Sequence, residues 1–322
     1  MKVRKLLSAL TLGLGLVSAG AVHADTYPTK PVNIVIPFSP GGATDILGRM
    51  LAERLHAKLG QPFVVENKPG AGTMIASNYV ARAKPDGYTL LLAASSLGIA
   101  PSVYSKVQYD PVKDFTPITL VASVVHVLGV NPDLPVSNIH ELIAYLKKHP
   151  GEVSYGSVGV GTSTHLEAEQ FKQMADVDML EIPYKGSSPA LTDLVAGRIH
   201  VMFDAWASTG AFAKDGKVKV LAVTTKEPSP SVPGMPPIAD AVPGFAAMPW
   251  LGLLAPAGTP DDAVKTIYEA VAEILTEDAT LERFKTLGLD IVGNTPAEFA
   301  DFIKNDIETW GNVARTANIR IE

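Results

Sequence analysis

A β-branched strand, a glycine pair and a helix start follow one another in residues 34–45, which read IVIPFSPGGATD. Glycine allows backbone conformations that turn successive N–H groups inward, and the positive end of a helix dipole adds to their field. The segment therefore predicts a loop that binds a carboxylate or a phosphate. It lacks the Lys-Ser/Thr pair of a P-loop, so a nucleoside triphosphate is not expected. The alternative is a plain turn before a capped helix.

A second segment of the same kind covers residues 155–166 and reads YGSVGVGTSTHL. A strand again enters a glycine-rich loop, and hydroxyl side chains open the following helix. We expect Thr162, Ser163 and Thr164 to offer donors to an anion, with His165 in the first helical turn. A structural hydrogen bond is the ordinary role of such a histidine. As a dinucleotide fingerprint the loop is weak, because Thr164 stands at the third glycine position.

Short β-rich runs alternate with helical runs through the chain. Residues 32–36 predict a strand and residues 41–60 a helix, and Ser137 is expected to cap a helix that runs through Lys147. Such alternation predicts βαβ units with mainly parallel sheets, in which ligands lie beyond the carboxyl ends of the strands. Residues 228–243 are rich in Pro, Gly and Ser and predict a loop or an inter-domain return.

Further candidates follow other predicted strands at the same sheet edge. Ser95 and Ser96 come after the run 88–93, and each could be a helix cap instead. Asp204 emerges from the apolar run 201–203, either toward a ligand or as a cap. Trp206 follows it, as core packing or as a cleft wall.

Composition excludes several classes of function. Cysteine is absent, which excludes thiolate catalysis, disulfides and Fe–S clusters. The formal net charge of −6 argues against nucleic acid as the main partner. The seven histidines are scattered, and His165 with Glu169 gives two metal ligands at most. We therefore predict no cofactor and no metal.

The N-terminus has the pattern of a cleaved secretory signal. Basic residues at positions 2, 4 and 5 precede an apolar run over 6–21, and Val22-His23-Ala24 places small residues at the −3 and −1 positions. We expect cleavage near Ala24 and export to the periplasm. The alternative is an N-terminal anchor helix.

Several short motifs follow one another along the chain in an order typical of one family. They are Tyr27-Pro28-x-Lys30-Pro31, Pro37-Phe38-Ser39-Pro40-Gly41-Gly42-x-x-Asp45, Glu66-Asn67-x-Pro69-Gly70-Ala71-Gly72, Pro85-Asp86-Gly87-Tyr88-Thr89-Leu90, Gly159-x-Gly161-Thr162-Ser163-x-His165-Leu166, Pro183-Tyr184-Lys185-Gly186-x-x-Pro189-Ala190-Leu191, Met202-Phe203-Asp204 and Pro256-x-Gly258-Thr259-Pro260. Over essentially the whole mature chain the sequence resembles the Bug proteins, the TctC-like substrate-binding receptors of tripartite tricarboxylate transporters. Thr73 departs from the pattern, where the family often repeats glycine.

The resemblance implies an α/β periplasmic-binding-protein type II fold, in which two α/β domains flank a ligand cleft in the manner of a Venus flytrap. We expect a signal peptide over 1–24, a discontinuous first domain over 25–125 and 246–322, and a second domain over 126–245. In the family the first glycine loop holds a ligand carboxylate, with ordered waters near the aspartate. The expected ligand-binding residues are Phe38, Ser39, Gly41, Gly42, Ala43, Asp45, Ser95, Ser96, Gly161, Thr162, Ser163, His165, Asp204 and Trp206.

The function implied is that of a periplasmic solute-binding protein, not an enzyme. It would capture a small organic carboxylate, a dicarboxylate or an aromatic acid, as a monomer that delivers it to integral membrane transporter subunits. Trp206 suggests an apolar or aromatic body behind the carboxylate. The alternatives are a secreted hydrolase that uses Ser95 or Ser163 with His165, and an orphan ligand sensor.

Overall fold

The computed structural model describes residues 27–316 and 319–320, so the predicted signal peptide lies outside the described residues. The first half contains β1 (Val32–Ile36), α1 (Ala43–Leu59), β2 (Phe63–Asn67), α2 (Met74–Ala81), β3 (Thr89–Ala94), α3 (Ser96–Val103), β4 (Phe115–Val124), β5 (His126–Val130), α4 (Ile139–Lys148), β6 (Ser154–Ser157) and α5 (Ser163–Ala175). The second half contains β7 (Leu180–Pro183), α6 (Ser187–Val195), β8 (Val201–Ala205), α7 (Trp206–Lys214), β9 (Lys219–Val223), β10 (Trp250–Pro256), α8 (Asp261–Ile274), α9 (Asp278–Leu287), β11 (Leu289–Ile291) and α10 (Pro296–Thr316).

The strands form two separate sheets. The first has six strands in the order β11-β4-β10-β3-β1-β2, and the second has five in the order β7-β6-β8-β5-β9. In the first sheet β1 is parallel to β2 and β3, whereas β10 is antiparallel to both β3 and β4. In the second, β6 is parallel to β7 and β8, whereas β5 is antiparallel to β8 and β9. Both sheets are therefore mixed, and the expectation of mainly parallel sheets is wrong.

The antiparallel pairs arise where the chain passes from one sheet to the other. β4 ends at Val124 and β5 begins at His126, so the first passage takes one residue. The chain returns between Val223 and Trp250, through the segment rich in Pro and Gly. A strand that enters a sheet from the other half of the molecule need not follow the direction that βαβ units impose.

Each sheet is covered by helices on both faces. Along β1, Ile34 and Ile36 pack in the core that faces α1 and α8, whereas Val35 packs in the opposite core with Trp250 and Phe299. This period of two places successive side chains on opposite faces. The second sheet likewise has one core around Phe203 and Phe245 and another around Met202 and Leu191.

Local capping differs from the sequence prediction at α4. Asn138, not Ser137, is the N-cap, because its side chain accepts the Glu141 N–H at 2.9 Å. Glu141 in turn accepts the Ser137 N–H at 2.7 Å. Ser and Asn are both favoured at an N-cap, so the sequence pattern does not separate these two neighbouring residues.

Among the described residues, none of the helices combines the length and the apolar character needed to cross a bilayer. Over the same residues, His, Asp and Glu side chains nowhere gather in a group of three suited to a metal ion.

Candidate functional site

A small enclosed cavity of about 50 Å³ lies between the two sheets. Its wall on the side of the first sheet is made by Phe38, Gly42, Ala43, Thr44, Ala94, Val124, Pro249, Trp250 and Leu251, and its wall on the side of the second by His126, Val158, Ser163, Thr164, Ser187, Asp204 and Ala205. These lining residues, all in the described part of the chain, include no Lys or Arg. Any positive potential in the cavity must come from backbone dipoles and from His126.

The first such dipole is the N-terminus of α1. β1 ends at Ile36, and the loop that follows turns through Gly41 at φ +91°, a conformation that favours glycine. Gly42 is the N-cap and carries no side chain to satisfy the first helical N–H groups. The first turn of a helix has no intrahelical acceptor for these donors. Gly42, Ala43 and Thr44 line the cavity, so the positive end of α1 faces it.

Two further helices begin at the same cavity. Ser163 and Thr164 open α5, and Ser187 opens α6. Neither helix has a side-chain hydrogen bond from its N-cap, Thr162 or Gly186. Three helix N-termini therefore converge on one enclosed space, which is an arrangement that favours an anion.

Asp45 supports the first loop from behind rather than lining the cavity. Its carboxylate accepts the Gly41 N–H at 3.0 Å, two Arg49 N–H groups at 2.9 and 3.0 Å, and the Asn67 amide at 3.0 Å. Burial alone would raise the pKa of Asp45, but these hydrogen bonds outweigh burial and hold the pKa below its usual value. The Gly41 amide is thus already satisfied, and its hydrogen bond to Asp45 ties the loop to the first turn of α1.

On one side of the cavity, residues of the two halves meet in what we call the serine contact. It comprises Ser39 and Pro40 of the first loop and Lys185 and Ser188 at the start of α6. The Ser39 N–H and hydroxyl both donate to the Lys185 carbonyl at 3.0 Å, and the Ser188 hydroxyl donates to the Pro40 carbonyl at 2.7 Å. Ser39 therefore takes part in closing the cavity rather than in lining it.

On another side lies what we call the tyrosine contact, formed by Gly72 and Tyr104 against Val160 and Gly161. The Tyr104 hydroxyl donates to the Val160 carbonyl at 2.6 Å. A Cβ at Gly161 would lie 2.5 Å from the Tyr104 ring, and a Cβ at Gly72 would overlap the Val160 carbonyl oxygen. These glycines let the two halves approach closely.

Ser95 and Ser96 lie behind the cavity. The Ser95 hydroxyl oxygen accepts the Trp250 N–H at 2.9 Å, and the Ser96 hydroxyl accepts from the Thr73 hydroxyl at 3.1 Å. Both serines are buried. They position β10 and the turn before α2.

Thr162 and His165 also make structural contacts. The Thr162 hydroxyl donates to the Gly159 carbonyl at 2.6 Å. His165 accepts the Gly161 N–H on Nδ1 at 3.2 Å, and its Nε2 lies 3.4 Å from Glu181. Burial lowers the pKa of His165. The geometry thus gives no support to a Ser–His pair of His165 with Ser95 or Ser163.

Trp206 lies away from the enclosed cavity, and ligand contact by its ring stays a prediction. β8 ends at Ala205, and the Trp206 N–H donates to the Val125 carbonyl at 2.9 Å. Its ring packs against the cluster that includes Val125, Val127 and Val232. There it lines a separate cavity of about 820 Å³, an open space between β9 and α9.

Five of the fourteen expected residues line the enclosed cavity: Phe38, Gly42, Ala43, Ser163 and Asp204. The other nine lie beside it, behind it or elsewhere: Ser39, Gly41, Asp45, Ser95, Ser96, Gly161, Thr162, His165 and Trp206. Ligand contact by any of them stays a prediction.

The structure also adds residues that the sequence interpretation missed. They are Thr44, Ser187 and, above all, His126. The first two follow directly from the helix starts, since each lies at the start of a helix beside the glycine loops. His126 had no such signal, because a single histidine at the start of a strand is ordinarily structural.

Comparison with known proteins identifies the family. Residues 47–319 match the family model described as "Tripartite tricarboxylate transporter family receptor" (TctC). The chain belongs to this family. BugT of Bordetella pertussis is 34% identical, and the alignment covers 100% of both chains. A protein encoded in the tcbD-tcbE intergenic region of Pseudomonas sp. strain P51 is 35% identical over 95% of this chain and 92% of its own.

Solved TctC-type structures share the fold. The periplasmic binding protein BugD has a TM-score of 0.89 at 36% identity, with 92% of this chain and 100% of that chain covered. A Rhodopseudomonas palustris protein solved with adipate has a TM-score of 0.89 at 37% identity, over 91% and 99%. MatC from the same organism, solved with malate, has a TM-score of 0.85 at 31% identity, over 89% and 99%. The chain is thus a solute-binding receptor of the periplasmic-binding-protein fold, and its relatives are binding proteins rather than enzymes.

Proposed function

We propose that this receptor captures a small dicarboxylate between its two sheets, at the enclosed cavity, which widens from about 50 Å³ as the two halves part to admit the ligand. The observation that carries the proposal is the convergence of the α1, α5 and α6 N-termini on one buried space. One carboxylate would lie against the amides of Gly42, Ala43 and Thr44. Partial charges of helix ends are most effective where water is excluded, so the net negative charge of the protein does not oppose binding there.

The relatives support the dicarboxylate class. Adipate and malate, the ligands of the two Rhodopseudomonas palustris structures, are both dicarboxylates. An aromatic acid loses its support, because Trp206 lies at the other cavity.

We further propose that residues 25–125 with 246–322 and residues 126–245 are two domains that part to admit the ligand. The two sheets, joined by one single-residue passage and by the return segment between Val223 and Trp250, support this division. The serine and tyrosine contacts bridge the cavity through few hydrogen bonds, so they can form and break with ligand binding.

In the cell, the protein would work in the periplasm, after removal of residues 1–24, as a monomer that delivers its ligand to membrane subunits of a tripartite tricarboxylate transporter. Family membership supports this role. Deletion of the gene should then reduce uptake of the labelled dicarboxylate. Loss of gene induction with unchanged uptake would indicate the sensor role instead.

Thermal unfolding tests the ligand class. Mature protein, unfolded and refolded to remove any co-purified ligand, is heated with mono-, di-, tri- and aromatic carboxylates. A ligand at about 100 times its Kd stabilises the folded state by roughly 2.7 kcal/mol, which raises the Tm of a chain of this size by a few degrees. We expect the largest shift with dicarboxylates.

Trp206→Ala is the matched control, since this residue lies outside the enclosed cavity. Its own Tm will be lower, but the ligand-induced shift should equal that of the wild type. Absence of a shift with every carboxylate would refute the proposal. If only aromatic acids raise the Tm, and Trp206→Ala abolishes that increase, the ligand binds instead at the cavity that Trp206 lines.

A further inference from the structure

Three buried ionisable side chains lie near one another at the second-sheet side of the cavity, and two of them, His126 and Glu167, are in direct contact. We call them the acid–imidazole cluster: His126 at the start of β5, Glu167 on α5 and Asp204 on β8. They are 6%, 0% and 3% exposed. His126 and Asp204 line the cavity, and Glu167 lies behind His126. The N-terminus of α1 lines the same cavity, so the cluster lies within reach of the other end of a ligand held there.

The hydrogen bonds of the cluster fix which atoms remain available. His126 Nδ1 lies 3.0 Å from Glu167 Oε2, which leaves Nε2 as the ring nitrogen for a ligand. Asp204 accepts from the hydroxyls of Ser187 and Ser208 at 2.7 Å and of Thr209 at 3.0 Å. Glu167 Oε1 has no hydrogen-bond partner among the described residues although it is fully buried. A buried acceptor without a donor is costly while it is charged.

The surroundings favour the protonated form of each group. Burial opposes the imidazolium, but the Glu167 carboxylate outweighs burial and raises the pKa of His126. Burial raises the pKa of Glu167 and of Asp204, although His126 and the hydroxyl donors act against it. Glu167 from α5 and Asp204 from β8 are the charged groups that face His126.

Charge balance then decides what the cluster can accept. With all three groups ionised it carries one net negative charge, which repels a second carboxylate in a space without Lys or Arg. One added proton makes the cluster neutral overall, and the imidazolium Nε2–H can then donate to that carboxylate.

We propose that the acid–imidazole cluster receives the second carboxylate of the ligand and that a dicarboxylate binds together with one proton held by the cluster. This inference rests on the proposed function, since it presumes that the first carboxylate lies at α1. It adds a coupling between ligand binding and proton uptake. The affinity for dicarboxylates therefore falls as pH rises, whereas the affinity for monocarboxylates does not fall in the same way.

Two probe pairs of equal carbon number test the coupling: succinate with butyrate, and adipate with hexanoate. Titration calorimetry in two buffers of different ionisation enthalpy gives the Kd and the number of protons taken up, between about pH 6.5 and pH 9. Once the pH exceeds the pKa of the empty cluster, we expect the dicarboxylate Kd to rise by up to about tenfold per pH unit, with uptake approaching one proton. The monocarboxylates should show little uptake.

Asp204→Asn separates the coupling from a merely structural role. It removes one negative charge and keeps a side chain that can pair with the same hydroxyls. At about pH 8.5 the ratio of monocarboxylate to dicarboxylate Kd should rise by about tenfold, because the proton is no longer required. Glu167→Gln should lower that Kd ratio, because loss of the Glu167 carboxylate lowers the pKa of His126. NMR titration of the histidine measures this pKa directly.

Three results would contradict either the inference of proton-coupled binding or the proposed function. A dicarboxylate Kd that stays constant over the pH range, without proton uptake, overturns the inference and leaves the carboxylate receptor standing. The inference is also overturned if the ratio of monocarboxylate Kd to dicarboxylate Kd at about pH 8.5 is lower in Asp204→Asn than in the wild type. This holds only if the variant still unfolds cooperatively, which shows that it is folded. Failure of all four acids to bind at any pH refutes the proposed function, and the inference with it.

Discussion

Replacing Gly72 with alanine is expected to weaken ligand binding by at least about tenfold while the protein stays folded. Gly72 has φ +56°, between Ala71 and Thr73, which also have positive φ. An added Cβ would overlap the Val160 carbonyl oxygen and lie 2.5 Å from the Tyr104 hydroxyl. Val160 belongs to the other half of the molecule, so the overlap with its carbonyl exists only while the two halves are in contact, whereas Tyr104 lies in the same half as Gly72. An energy difference of about 1.4 kcal/mol against closure gives the tenfold loss.

Gly60→Ala is the matched control for this variant. Gly60 ends α1 with φ +72°, and a Cβ there has nothing within 4 Å. Both substitutions therefore have a similar backbone cost, about 1 kcal/mol, but only Gly72→Ala interferes with the tyrosine contact. Calorimetric titration with adipate compares the two. Equal Kd values for both variants would show that closure at Gly72 does not contribute to binding.

The second large effect concerns the pH dependence of stability. Asp306 on α10 accepts the Trp250 indole N–H at 2.8 Å, and burial raises its pKa to about 7, although the hydrogen bonds from Trp250 and Trp310 act in the other direction. Because the folded protein binds this proton more tightly than the unfolded chain, the free energy of unfolding falls as pH rises from about 4 through about 7. The upper limit of the loss is about 4 kcal/mol.

Asp306→Asn should abolish this part of the pH dependence, since the amide oxygen still accepts from Trp250 and no proton is released. Urea unfolding at about pH 5 and about pH 8 measures the effect in both proteins. We expect the wild type to lose roughly 2–3 kcal/mol more than the variant between these values. Equal losses would mean that Asp306 is ionised in the fold at both pH values.

Local patterns were sufficient to predict the two glycine loops. The segments that begin at Ile34 and Tyr155 each form a strand, a turn and a helix start from neighbouring residues, and α1 and α5 begin at Ala43 and Ser163. The conformations involved depend on glycine and on short-range hydrogen bonds, which sequence spacing describes well. The cavity wall nearest these loops was therefore predictable.

Long-range pairing was not predictable in the same way. β10 lies between β3 and β4 as an antiparallel strand, although it follows them by more than a hundred residues. No local periodicity indicates which sheet such a strand joins or in which direction. The same limit applies to Trp206, whose ring packs against residues far away in sequence, such as Val125 and Val232.

The acid–imidazole cluster shows most clearly which contacts a sequence pattern does not predict. His126 and Glu167 are 41 residues apart, and neither has a motif that marks it. Only the packing of α5 against β8 brings them to the cavity. Of the three members, Asp204 alone could be proposed from sequence, because a carboxylate follows an apolar strand there.

We propose that the N-termini of α1, α5 and α6 recognise the negative charge of a small ligand inside the cavity. Titration of refolded protein with adipate and with adipamide, which replaces each carboxylate by an uncharged amide of similar shape, tests it most directly. We predict one adipate bound per chain, with a Kd at least about tenfold lower than that of adipamide, because only the carboxylate gains from the dipoles of α1, α5 and α6. Equal affinity for adipate and adipamide, or no binding of adipate, would contradict the proposal that helix N-termini recognise the ligand charge.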